Sequence, residues 1–172
     1  MIGYKHGYNG LIDQEYKLLA PLNVSNIIQR GGTILKSGRC EDFHTESSGR
    51  AAANNLHDLN IEALLVIGGN GSFRGAHHLC KYYKGQVIGL PGTIDNDISG
   101  TDATIGYYTA IETALDSIDK VRDTADAFER IFLIEVMGRH AGFIALNAAV
   151  ASAADRVLVP EGCNDIDLEV DN

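Results

Sequence analysis

The sequence predicts an α/β fold: a three-layer, doubly wound, mostly parallel sheet of Rossmann type with helices on both faces. Three observations carry this expectation. Short apolar runs without polar alternation read as strands covered on both faces, the habit of parallel sheets. Segments of helical length and composition separate them, so strands and helices alternate and right-handed crossovers are expected. Glycine-rich loops fall where strands hand over to helices, at the mouth where open parallel sheets bind ligands.

Taken in order, "ESSGRAAANNLHDLN" from Glu46 reads as a helix and "ALLVIGG" (Ala63 to Gly69) as a strand. "SFRGAHHLCKYYK" from Ser72 reads as a helix and "QVIGLP" (Gln86 to Pro91) as a strand. A long helix is expected from Ala103 through "ATIGYYTAIETALDSIDKVRDTAD", followed by a strand at "RIFLIEVMG" (Arg130 to Gly138). The last pair is a helix from Arg139, "RHAGFIALNAAVASAAD", and a strand at "RVLVPEG" (Arg156 to Gly162). No internal repeat, low-complexity segment or linker interrupts this, so residues 1–172 are expected to form one domain.

The composition suits a globular protein, at 45% hydrophobic and 22% charged residues. A formal net charge of -9 repels phosphate backbones, so neither nucleic acid nor an anionic membrane is expected as a partner. Cys40, Cys80 and Cys163 are an odd number without close pairing, which fits neither a disulfide framework nor a zinc site. No apolar run reaches membrane-spanning length, and no signal peptide follows Met1. A cytoplasmic location is expected.

"GGNGS" (Gly68 to Ser72) has the composition of a phosphate cradle, with glycines admitting an anion to a helix N-terminus and Ser72 placed to cap it. The same composition also serves as a plain tight turn. It matches neither the Walker A pattern nor the dinucleotide fingerprint. "PGTIDND" (Pro91 to Asp97) is more telling. One carboxylate can cap a helix, but Asp95, Asp97 and the nearby Asp102 repel one another, and such clusters serve a metal or a general base. In an extended segment Asp95 and Asp97 share one side with Thr93, and Asn96 faces the other.

"VMGRHAG" ends a strand and turns Arg139 towards the same mouth, a cation for charge developing on a transferred group or else a surface arginine paired with an acid. His140 is read as packing or capping, and the adjacent His77 and His78 cannot share a helix face as metal ligands. Arg39 in "SGRC" could reach a nucleotide phosphate from a loop. Arg130 opens its strand at the amino end, far from the mouth, where only a site on another subunit or an ordinary surface role is open to it.

"NIIQRGGTILKSGR", "VIGGNGSFRGA", "IGLPGTIDNDISGTDATIG", "DKVRDT" and "IEVMGRHAG", in this order and spacing, resemble the 6-phosphofructokinase family over nearly the whole chain. The resemblance implies transfer of the γ-phosphoryl of ATP to the 1-hydroxyl of fructose 6-phosphate, with Mg²⁺. It implies Asp95 as the base, with Thr93 and Ile94 beside it in substrate contact and Asp97 on the metal and phosphate side. Met137, Gly138 and Arg139 would contact the sugar, with Arg139 stabilising the moving phosphoryl group. Arg39, Cys40, Gly69, Asn70, Gly71 and Ser72 match nucleotide-contacting positions. Arg130 matches an arginine that reaches the sugar phosphate of a neighbouring subunit, as expected of a homo-oligomer, a tetramer in the family. Glycines at 71 and 92 resemble members that use ATP rather than pyrophosphate.

The pattern also departs from the family. Asn70 stands where the family has an aspartate that binds Mg²⁺, so a weaker metal site is expected. Pro21 replaces an effector-binding arginine, whereas Arg122 matches another effector contact. The family's first strand with its glycine-rich loop, and its later substrate half, have no counterpart here. The chain is therefore expected to be a central portion, incomplete at both ends of the sheet and poorly soluble or oligomeric alone. The alternative is a catalytically silent nucleotide-binding or regulatory subunit.

Overall fold

The computed structural model describes residues 1–162, so Cys163 lies outside the described residues. Two compact units are present, Met1–Val66 with Gly71–Leu90, and Ile67–Asn70 with the chain from Pro91 onward.

In the first unit, β1 (Ile2–Tyr4) and β2 (Tyr16–Leu18) form an antiparallel pair with Tyr4 opposite Tyr16. The short helix α1 (Tyr8–Ile12) joins them. Sequence reading missed β2, whose three residues are too few for any period to show. Helix α2 (Glu46–Asp58) starts at Thr45, whose side-chain oxygen accepts the Ser48 N–H at 3.2 Å. Its inner face supplies Ala52, Ala53 and Leu56 to a core shared with Leu11, Phe43, Leu79 and Tyr83. Asn55 is buried on that face because its amide donates to the Leu11 and Ile12 carbonyls, which α1 leaves unpaired at its C-terminal end.

Strands β3 (Ala63–Gly68) and β4 (Gln86–Pro91) lie side by side, with α3 (Asn70–Leu79) between them in sequence. The Gln86 N–H donates to the Glu62 carbonyl at one end, and Gly92 meets Ile67 at the other. The two strands therefore run in the same direction, the β–α–β unit expected of an α/β fold. Helix α3 begins two residues before the expected start, which puts Ser72 inside its first turn rather than at its cap.

In the second unit, α4 (Tyr107–Phe128) packs against α5 (Phe143–Ser152). The buried Tyr107 accepts a hydrogen bond from the Asn147 amide at 2.8 Å, and Arg122 donates to the Ser152 carbonyl. Glu129 and Ala153 end the two helices in the left-handed conformation. Helix α4 starts at Tyr107 rather than Ala103 because Gly106 sits at φ +98°, outside helical space. Asp102, read from the sequence as the cap of this helix, therefore lies several residues before it and does not cap it. Helix α5 likewise starts at Phe143, after Gly138 at φ +149° and Arg139 at φ +56°.

The expected strands at 130–138 and 156–162 are not formed; both segments are irregular, with Ile131 and Leu133 almost fully exposed. Their composition favours strands, yet a strand exists only where a neighbour pairs its backbone, and neither segment has one among the described residues. No helix is long and apolar enough to cross a membrane among the described residues.

Candidate active site

The sequence-marked residues divide between the two units. In the second unit, the end of β3 and the loop after β4 come together. Gly69 lies so close to Thr93 that a Cβ there would stand 3.3 Å from the threonine Cβ. Asn70, the first residue of α3, donates its side-chain amide to the Asp97 carboxylate at 2.8 Å and to the Asp97 carbonyl at 3.3 Å. The Thr93 hydroxyl accepts the Asp95 N–H at 3.3 Å. Asn96 sits at φ +53° and its side-chain oxygen accepts the Thr104 N–H at 2.9 Å. The Ile105 N–H closes the loop onto the Pro91 carbonyl, and the Ile94 side chain lies against Gly106.

This geometry corrects one expectation. Asp95 and Asp97 do not share a side of an extended segment, because the left-handed Asn96 between them breaks the alternation. Asparagine is the residue that tolerates this conformation best after glycine, and its amide secures it. The two carboxylates end in different states: Asp97 is bonded to Asn70, whereas the Asp95 carboxylate, half-buried, has no hydrogen bond or ion pair among the described residues. Behind the loop, the buried Thr104 hydroxyl has no hydrogen-bond partner among the described residues.

Met137, Gly138 and Arg139 line an open depression of about 320 Å³ together with Ala141, Gly142 and Pro160. Gly138 must be glycine, because a Cβ would stand 2.3 Å from the Ala141 carbonyl oxygen. The turn it makes leaves Arg139 exposed, with no acidic partner among the described residues. At the start of α5 the Glu161 carboxylate accepts the Gly142 N–H at 2.8 and 3.1 Å, an acid at a helix N-terminus that nothing in the local sequence announces. Arg130 follows the end of α4, exposed, with its guanidinium 5.1 Å from the centre of the Phe128 ring.

In the first unit, Gly71 faces open space: nothing among the described residues lies within 4 Å of the position a Cβ would take. The first turn of α3 is thus accessible at its glycine. The Ser72 carbonyl accepts the Tyr8 hydroxyl at 2.6 Å. Tyr8 stacks on Phe43 at 4.1 Å and covers Gly75, and burial pushes its hydroxyl well above the ordinary tyrosine range. The letters around Tyr8 signal none of this. Arg39 is exposed and held through its backbone, its carbonyl accepting the Asn9 amide at 3.0 Å. Cys40 packs against the core, and burial, with Asp42 nearby, raises its thiol above the usual value.

Comparison with known proteins matches a phosphofructokinase profile to residues 1–171. The chain is 52% identical over 165 residues to the ATP-dependent 6-phosphofructokinase 2 of Bacteroides thetaiotaomicron, covering 96% of this chain and 51% of that protein. It is 48% identical over 172 residues to the ATP-dependent 6-phosphofructokinase of Halothermothrix orenii, covering 100% of this chain and 51% of that one. The chain spans about half the length of these relatives. Among solved structures, phosphofructokinase from Saccharomyces cerevisiae superposes with a TM-score of 0.81 at 35% identity, over 90% of this chain and 24% of that one. The pyrophosphate-dependent enzyme of Marinobacter aquaeolei, at 23% identity, a TM-score of 0.69 and coverage of 87% and 40%, shares the fold. These likenesses establish the α/β class expected from the alternation of strands and helices.

Proposed function

The chain belongs to the phosphofructokinase family, and from that premise we propose that it carries part of a site transferring the γ-phosphoryl of ATP to the 1-hydroxyl of fructose 6-phosphate. The observation that carries this reading is the free carboxylate of Asp95 in a loop whose neighbours are all tied down. A general base must be held in place yet left without an internal cation or donor that would quench it.

In this reading Asp95 accepts the proton of the 1-hydroxyl as its oxygen attacks the γ-phosphorus and ADP departs. Thr93 and Ile94 position the sugar beside it. Arg139, exposed and unpaired with any described acid, supplies positive charge to the phosphoryl oxygens, while Met137 and Gly138 shape the wall it stands on. Gly69, Asn70, Gly71 and Ser72 receive the nucleotide phosphates on the first turn of α3, with Arg39 and Cys40 as further nucleotide contacts. Arg130 serves the sugar phosphate of a neighbouring subunit in a homo-oligomer, a tetramer as in the family, acting in the cytoplasm.

Mg²⁺ accompanies ATP as the family resemblance implies, but Asn70 and Asp97 do not fit as its protein ligands. One Asp97 oxygen accepts the Asn70 amide, so the pair is joined by a hydrogen bond rather than arranged around a cation, and no cluster of three or more His, Cys, Asp or Glu residues able to hold a metal occurs among the described residues. Any cation here is carried by the phosphates themselves, and the roles above are derived without it.

The test is a coupled assay for fructose 1,6-bisphosphate. Asp95→Asn is expected to lower turnover by ~10²–10⁴-fold, the usual cost of removing a general base. A rate unchanged by that substitution would refute the assignment. The Asn70–Asp97 bond favours the second reading, a silent nucleotide-binding subunit, which ATP binding without turnover by the wild-type chain would identify.

A further inference from the structure

We propose that Asn70 is a metal-free latch on the aspartate loop: its amide holds Asp97 by hydrogen bonds, so that the order of the loop carrying Asp95 does not depend on a divalent cation. The inference concerns loop order and stands whether or not Asp95 takes a proton.

The geometry has two parts. Asn70 grips one residue twice, through the side-chain oxygen of Asp97 at 2.8 Å and through its main-chain oxygen at 3.3 Å. Only the amide nitrogen can do this. Turned the other way, the Asn70 oxygen would face a carboxylate oxygen at hydrogen-bond distance and be repelled. The charge of Asp97 therefore fixes the orientation of the amide. On the other side of the loop, Asn96 holds Thr104 by the same kind of group at 2.9 Å. Residues 95–97 are thus pinned between two neutral amides, and neither amide titrates.

The chemistry at position 70 decides what the loop needs. An amide donates to two acceptors and leaves the single charge on Asp97 hydrogen-bonded, with no second charge opposing it. A carboxylate in its place would be acceptor-only. Two like charges at this separation repel, and only a bridging cation would bring them together. Asparagine replaces the cation's structural role with a donor that is always present. The close approach of Gly69 to Thr93 keeps the two segments near enough for the latch to engage.

Hydrogen–deuterium exchange of the full chain, followed over residues 93–105 in EDTA and in Mg²⁺, tests the latch. The wild-type rate is expected to be the same in both. Asn70→Ala is expected to speed exchange about ten- to a hundredfold in both, the effect of losing hydrogen bonding to a charged group. Asn70→Asp is expected to exchange fast in EDTA and to return to the wild-type rate in Mg²⁺. Exchange in α2 reports that each variant is folded and is expected to stay constant. A wild-type loop that slows on adding Mg²⁺, an Asn70→Ala loop as slow as wild type, or an Asn70→Asp loop indifferent to Mg²⁺ would each overturn the proposal.

Discussion

Tyr8 donates its hydroxyl to the Ser72 carbonyl at 2.6 Å across 64 positions of sequence, from α1 to the first turn of α3. The ring, stacked on Phe43, leaves the hydroxyl one place to go. The carbonyl it reaches belongs to the turn that presents Gly71. Tyr8→Phe keeps the stack and removes only the bond, so thermal unfolding is expected to show a loss of about 0.5–1.5 kcal/mol. ATP affinity, read by titration, is expected to fall several-fold if this turn receives the phosphates. An unchanged stability would show that the bond adds nothing to the fold.

Glu15 stands between Lys5 and His6, its carboxylate accepting a hydrogen bond from Lys5 Nζ at 3.0 Å and lying 3.0 Å from His6 Nδ1. The bond from Lys5 first, then that from His6, lowers its carboxyl below the ordinary range. A lowered folded-state value means that this contribution is fully present above the unfolded value and is lost as pH falls through the folded one. The pair is solvent-exposed, so the effect is local. In an NMR titration the Lys5 amide, which donates to the Glu15 carbonyl, is expected to shift on acidification. Glu15→Gln is expected to abolish the carboxylate-linked part of that shift. A titration identical in both proteins would remove Glu15 as its source.

Ile131 and Leu133 stand in an apolar segment that pairs with no strand among the described residues. Exposed apolar residues of strand-forming type invite association. The wild-type chain is expected to sediment with a concentration-dependent mass, and Ile131→Lys combined with Leu133→Lys to reduce that dependence. A monodisperse wild-type monomer would contradict this.

How much of this was legible in the letters depends on the range of the interaction. Helices α2 and α3 and strands β3 and β4 follow from local pattern, because a stripe or a run of apolar residues encodes its own burial. Segment 130–138 carries the same pattern without the same outcome, since pairing is supplied by another part of a chain. The candidate site divides the same way. Asp95, Asp97 and Arg139 stand out as residue types in a suggestive order. The left-handed turn at Asn96, the grip of Asn70 on Asp97 and the reach of Tyr8 arise only from tertiary placement. Composition could not show which carboxylate would be bonded and which left free.

Gly71 and Gly92 look alike in the sequence, where both suggest a choice of phosphoryl donor. Around Gly71 there is open space, whereas a Cβ on Gly92 would stand 2.7 Å from the Ile67 side chain and 3.4 Å from the Gly68 nitrogen. One position sets what can approach the end of a helix. The other sets whether two neighbouring backbones can lie together at all. A substitution at 71 is therefore a question about recognition, and the same substitution at 92 is a question about assembly of the sheet.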